Sequence, residues 1–308
     1  MSVPNEHAGL EAHSAEHFGD VRDHWWNEDY LRFLAGLWRG DQVRTVLDVG
    51  CGVGHWSRAL ARVLPPDAKF CCIDREAEWV ARGSARTAAM GQGDRFAFRV
   101  GHAERLDFPA ASFDLVTCQT VLIHLADPRA ALAEMARVAK PGGLVVVAEP
   151  TNVFGPILQD ALAAGLSVDR LAALLRFQLL CQRGKAAMGE GDDLLGERLP
   201  EILRGAGLDD IEIRLNDRAI PIAPPYDSPA ALAFVDETRD TIERGIWAWS
   251  RSQTERYFVA GGGAPVEFDA LWESLFEERR RVQRAMAEGR YVAAGGALFY
   301  VAWGRRPL

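Results

Sequence analysis

From Thr45 to Pro150, short β-rich runs alternate with amphipathic stretches, a pattern that predicts a parallel sheet with crossover helices. The strands fall at 45–50, 69–74, 96–101, 113–119 and 144–149. Each is apolar nearly throughout instead of alternating, so helices are expected on both faces. The helices between them are placed at 55–63, 75–90 and 128–139, the last halted by Lys140-Pro141-Gly142-Gly143.

Beyond Pro150 the periodicity changes. Leu158, Leu162, Leu166, Leu171, Leu174 and Leu175 recur at helical spacing within 153–188, and a glycine-rich break then opens a further helix with Asp193 as its cap. A strand is expected at 209–215. The prolines of 219–229 argue against regular structure there, and amphipathic helices follow near 229–251 and 268–288. Strand character returns at 295–304. These signals describe one α/β core interrupted by helical additions: an N-terminal cap (1–42), a cofactor-binding core (43–152), a lid (153–190), a continuation of the core (191–218), a cap insertion (219–292) and a final core strand (293–308).

The first strand-to-helix turn carries the chemistry. Gly50, Gly52 and Gly54 let a ligand lie against bare backbone where open α/β sheets bind their ligands. A phosphate-cradling loop needs Lys-Ser or Lys-Thr after its last glycine, and His55-Trp56 stands there. The G-x-G-x-x-G fingerprint fails in both registers, at His55 and at Ser57. Asp48 would repel a pyrophosphate and attract an ammonium. Asp74 ends the second strand about 20 residues after the last glycine, where an acid accepts ribose hydroxyls. A ribose, an amino-acid ammonium and no phosphate together describe S-adenosylmethionine.

The stretch "VLDVGCGVG", Asp74 in "CCIDRE" and the block from "GHAERLDFPAASFDLVTCQT" to "KPGGLVVVAEP" resemble the motifs of class I S-adenosylmethionine-dependent methyltransferases, the ubiquinone-biosynthesis-like or type 11 members in particular. The likeness covers about residues 43–150 and, more faintly, 193–215 with 295–305. It implies a seven-stranded, mostly parallel Rossmann-like sheet whose last strand, "ALFYVAW", is antiparallel, with helical cap insertions. It also implies that Asp48, Gly50, Cys51, Gly52 and Gly54 face the methionine part, with Trp56 close by. Asp74 and Arg75 would hold the ribose; His102, Ala103 and Glu104 would border the adenine; Gln119 and Thr120 would lie under the sulfonium. Many relatives have an acid where His102 stands, so the adenine contact would pass to Glu104 or to the main chain.

Methyl transfer from a sulfonium needs alignment and exclusion of water, and a base only where the nucleophile keeps a proton. His124 and Glu149 are the candidate bases, although His124 also suits a loop brace and Glu149 a hydrogen bond to the turn after it. Trp25, Trp26, Tyr30, Trp247 and Trp249 are candidates to wall a pocket for an apolar, aromatic or cationic substrate, or else core contacts onto the sheet. Rival readings are a protein or peptide N-methyltransferase with an open groove at 220–290, a binding module without catalysis, and an NAD(P) oxidoreductase.

Composition narrows the partners. The 308 residues carry a net charge of −8 without long like-charge blocks, which disfavours nucleic acid and anionic membranes and favours a small methyl acceptor. Five cysteines show no disulfide framework, and neither a signal-peptide pattern nor a membrane-spanning run is evident, so a cytoplasmic setting is expected. His13 and His17 stand one helical turn apart without further ligands, so no metal is expected. The five arginines between 279 and 290 read as a solvated, ion-paired helix.

Overall fold

Among its described residues, 19–152, 165–217 and 219–308, the computed structural model contains one seven-stranded sheet and one two-stranded sheet. The strands are β1 Thr45–Val49, β2 Lys69–Asp74, β3 Phe96–Val100, β4 Phe113–Gln119, β5 Ala139–Pro150, β6 Asp209–Leu215, β7 Ile220–Ile222, β8 Ala293–Gly295 and β9 Phe299–Arg305. The large sheet runs β3-β2-β1-β4-β5-β9-β6. All its neighbours are parallel except the two pairs made by β9, which lies antiparallel between β5 and β6. The order reverses between β1 and β4, so the crevice at their carboxyl ends is the expected ligand seat.

The helices are α1 Glu28–Leu37, α2 His55–Ala61, α3 Ala77–Ala89, α4 Pro128–Val138, α5 Val168–Ala187, α6 Leu199–Gly205, α7 Pro229–Glu243, α8 Arg251–Ala260 and α9 Pro265–Ala287. Two apolar cores sandwich the sheet. One joins Leu47, Val116 and Val147 to α4 and α6. The other joins Val46, Phe70 and Val146 to α1 and α2 through Leu34, Trp38, Trp56 and Leu60. Both faces of the sheet are therefore covered, as the unbroken apolar runs require.

Several expectations need correction. Helix α5 begins at Val168, with Ser167 capping Arg170 N–H; residues 153–164, including Leu158 and Leu162, lie outside the described residues. Asp193 caps no helix, because its carboxylate is taken by Lys185 and α6 starts only at Leu199. The expected helix 229–251 is shortened to α7, which ends at Glu243, and a separate helix outside the expectation, α8, begins at Arg251. Gly245, at φ +65°, ends the first, and Ser250 with Gln253 forms a capping box for the second. The proline-rich stretch holds β7, which pairs with β8 as an isolated ribbon whose short edges tolerate Pro221. The terminal strand is consequently two strands, broken around Gly296 at φ +132°. Residues 293–295 thus pair with the cap, and the large sheet resumes at Phe299.

The cap leaves and rejoins the sheet at one point. Asn216 donates its backbone N–H to Phe299 O (3.0 Å) and its side-chain amide to Ala297 O (2.8 Å), and it accepts from Phe299 N–H (2.9 Å). Within the cap and lid, α5 crosses α8 with glycine facing glycine: a Cβ on Gly184 would sit 1.7 Å from Tyr257 O, and one on Gly261 would sit 1.9 Å from Leu180 O. That close approach lets Phe177, Trp249, Tyr257, Phe258, Phe268 and Trp272 form one aromatic core. On α9, Arg280 and Arg281 are ion-paired with Glu273 and Glu278, whereas Arg279 turns inward to donate to Thr241.

Candidate active site

The turn after β1 places Gly50, Gly52 and Gly54 at φ +66°, +52° and +80°, conformations that side chains resist. A Cβ on Gly50 would stand 2.5 Å from Val121 Cγ2, so the turn packs directly against the loop that follows β4. Asp48, at the end of β1, is buried; its Oδ2 accepts from the Ser57 hydroxyl and its Oδ1 has no partner among the described residues. Burial, aided by the charge of Asp74, pushes the Asp48 carboxyl up to about 7. Asp74 turns toward the glycines: Oδ2 accepts Gly52 N–H at 2.8 Å and Oδ1 accepts Glu76 N–H at 3.0 Å. Its carboxyl also lies above the usual range, chiefly through burial. An acid read from sequence as a ribose acceptor thus also fixes the glycine turn, and a carboxylate has lone pairs for both tasks.

The loop after β4 is held from the next strand. Glu149 is fully buried, and its Oε1 accepts Val121 N–H at 3.0 Å and Leu122 N–H at 2.9 Å. Among the described residues its side-chain hydrogen bonds go to this loop and to Cys118 Sγ, and not to the turn after β5. Glu149 thus braces the loop that carries His124, and burial pushes its carboxyl up to about 7. Thr120 opens the loop at φ +56°.

Thr120 and His124 line a cavity of about 250 Å3 between the sheet and the cap. Trp25, Trp247 and Trp249 supply much of its apolar wall, with Phe299. Trp26 and Tyr30 do not reach it. Trp26 stacks at 4.8 Å on Trp56 in the core, and Tyr30 donates to Leu215 O at 2.6 Å. Trp56 is likewise a core residue, donating to Thr117 Oγ1 at 2.9 Å. At the far rim Arg75 pairs with Glu76, and His102 and Glu104 are exposed beside half-buried Ala103 and Gln119. Cys51 is buried, and all five cysteines are free thiols.

Sequence reasoning missed two groups. Gln178, Gln182 and Lys185 form a polar stripe at spacings of four and three along otherwise leucine-rich α5, a signal legible beforehand. Gln178 and Gln182 both line the cavity. The second group centres on Asp23, which binds His55 Nδ1 (2.6 Å), Arg58 and Arg86 (2.6 Å). Burial would raise its carboxyl, but the His55 hydrogen bond and the charges of Arg58 and Arg86 prevail and hold it far below the carboxylate range. Neighbouring Arg22 and Trp25 line the cavity, so one short segment ties helix α2 to the cavity wall. No local periodicity marks it. His13 and His17 lie outside the described residues, and among the described residues no His, Cys, Asp or Glu group is arranged for a metal.

Residues 47–147 match the methyltransferase domain family. This segment is a class I methyltransferase domain. The chain is 34% identical over 117 residues to the ubiquinone/menaquinone biosynthesis C-methyltransferase UbiE of Hahella chejuensis, covering 38% of this chain and 47% of that one. It is 35% identical over 132 residues to the demethylmenaquinone methyltransferase of Geobacillus kaustophilus, covering 42% and 54%. It thus spans about half the length of these curated relatives. The fold of YcgJ from Bacillus subtilis superposes with a TM-score of 0.51 at 18% identity, over 92% of this chain and 100% of that one. No helix among the described residues is long and apolar enough to cross a membrane.

Asp48, Glu149 and Glu237 are all raised to about 7 with burial as the leading cause. A carboxyl raised on folding contributes stability below its ordinary value near 4 and loses it as pH rises through the folded value. The ligand-free protein should therefore melt several degrees lower at pH 8.5 than at pH 6 by scanning calorimetry, and Glu149→Gln should flatten the slope. A pH-independent melting temperature would contradict this assignment.

Proposed function

We propose that the protein is an S-adenosylmethionine-dependent methyltransferase acting on oxygen, nitrogen or carbon of a small molecule. The observation that carries the reading is the shared loop: residues 120–124 pack against the glycine turn at Val121 and wall the cap cavity at Thr120 and His124. Donor and acceptor seats are thereby contiguous. The residues fit the cofactor. Asp48 Oδ1 is a buried acceptor awaiting a donor such as an ammonium, and the glycine turn leaves bare backbone beside it. Asp48 with Gly50–Gly54 would hold the methionine part, Asp74 and Arg75 the ribose, His102 to Glu104 the adenine edge, and Gln119 and Thr120 the sulfonium end. When bound, the cofactor supplies a methyl group already activated for displacement.

The chain's own contribution is alignment and exclusion of water. Glu149 fixes the 121–124 loop, Asp23 ties the cavity wall to α2, and the tryptophans close the acceptor side. Among the described residues His124 is the one imidazole on the cavity wall, and it takes the acceptor's proton where the acceptor holds one. The small volume of the cavity, about 250 Å3, favours a small molecule over a polypeptide. Residues 43–152, 191–218 and 299–308 serve as core, and 1–42, 153–190 and 219–298 as cap and lid, in a cytoplasmic enzyme.

Calorimetric titration tests this directly. S-adenosylmethionine and S-adenosylhomocysteine should bind and NAD(H) should not, with His124→Ala leaving cofactor affinity within about twofold. Tight NAD(H) binding without a response to S-adenosylmethionine would sink the proposal. A screen with methyl-labelled cofactor then identifies the acceptor.

A further inference from the structure

The cap cavity is lined by two acids, Asp193 and Glu237, and the protein answers each with a cation of its own. Fully buried Lys185 donates to Asp193 Oδ1 at 2.5 Å and to Ile123 O at 2.9 Å. Arg22 is the cation opposing Glu237. Each acid already faces a cation, so a cationic ligand entering the cavity would shed its hydration without gaining an uncompensated countercharge.

Hydrogen-bond acceptors, by contrast, are left over. With Oδ1 committed to Lys185, the Asp193 oxygen that remains for the cavity, Oδ2, accepts nothing from the described residues. Gln182 donates its amide to Asn152 O at 3.0 Å, while its Oε1 is buried without a donor among the described residues, as is Glu237 Oε2. Three oxygens around a space walled by indoles therefore await an N–H or O–H. The volume, about 250 Å3, is small for a ligand pocket.

Lys185 does more than neutralise. Its bond to Ile123 O reaches the residue before His124, and Gly191, at φ +101°, lies against the same backbone: a Cβ there would be 2.1 Å from Ile123 O. The segment bearing Asp193 is thus locked in register with the loop bearing His124.

We infer that this cavity selects a compact, uncharged aromatic molecule carrying an N–H or O–H donor, and that Asp193, fixed by Lys185, is the residue that reads the donor. The inference rests on the reading of the cavity as the acceptor seat. Asp193 determines specificity, and Lys185 positions it.

The test uses the full chain saturated with S-adenosylhomocysteine, titrated calorimetrically with indole, 1-methylindole and tryptamine. Indole offers the donor, 1-methylindole keeps the shape without it, and tryptamine adds a positive charge. Indole should bind at least about tenfold more tightly than 1-methylindole, the effect of one buried hydrogen bond to a charged group, and more tightly than tryptamine. The double variant Lys185→Met/Asp193→Leu removes both charges together, so neither is stranded, and should shrink the preference below about threefold while S-adenosylhomocysteine affinity is retained. Equal binding of indole and 1-methylindole by the wild-type chain overturns the inference whether or not the variant folds, and so does tighter binding of tryptamine. No binding of any probe by protein that binds S-adenosylhomocysteine overturns it while sparing the cofactor reading. Discrimination between the indoles by protein that ignores S-adenosylhomocysteine does the reverse.

Discussion

Asp74→Ala should weaken S-adenosylhomocysteine binding by about two orders of magnitude, since a half-buried carboxylate lost from charge-assisted hydrogen bonds costs roughly 1.5–3 kcal/mol for each strong contact. Two losses combine. The ribose acceptor disappears, and Gly52 N–H, held by Asp74 Oδ2 at 2.8 Å, is released in the middle of the turn that the ligand must lie against. Asp74→Asn keeps an acceptor oxygen for one of these tasks and should fall between wild type and alanine. Calorimetric affinities with melting temperatures measured on the same samples separate binding from unfolding. A loss of less than about threefold in folded Asp74→Ala would remove the residue from the cofactor site.

The second large effect lies far from the cofactor. Gly184→Val forces a branched side chain where a Cβ alone would approach Tyr257 O to 1.7 Å, in a helix crossing that has no slack because Gly261 faces it. Overpacking of this kind costs about 3 kcal/mol or more when backbone is the obstacle. The aromatic core of α5, α8 and α9 should separate, shifting the emission of Trp247, Trp249 and Trp272 to the red and abolishing indole binding. S-adenosylhomocysteine affinity should stay within about threefold, because β1, β2 and the glycine turn share no residue with that crossing. Loss of both affinities together would show that cap and core unfold as one unit.

The core was legible because its signals are local. An unbroken apolar strand, a glycine turn and an acid at a strand's end each fit within a few residues, and β2 and β4 fall where the pattern puts them. The cap was less legible because tertiary partners decide it. The four prolines of 219–229 spoke against a strand at 220–222, yet pairing with 293–295 overrides that local preference. Asp193 resembled a helix cap until a lysine eight residues earlier claimed it. Trp26 and Tyr30 share the composition of Trp25 but face elsewhere, and an aromatic's sequence position alone does not say which wall it joins. Glu149 was visible as an acid at a strand end. That its hydrogen bonds cross to the neighbouring loop depends on β4 and β5 being paired, which only the sheet order reveals.

The triple hydrogen bond of Asn216 has an evolutionary corollary. The strands it joins, β6 and β9, are neighbours that a short hairpin could connect, yet the chain makes its whole excursion through 217–298 between them. Both ends of that excursion are pinned side by side, so closure entropy grows only with the logarithm of its length. Insertions, deletions or wholesale replacement of the cap would leave the register of the sheet unaltered. Descendants of such a protein can exchange one acceptor for another by grafting a new roof at Asn216, keeping the cofactor machinery intact beneath it.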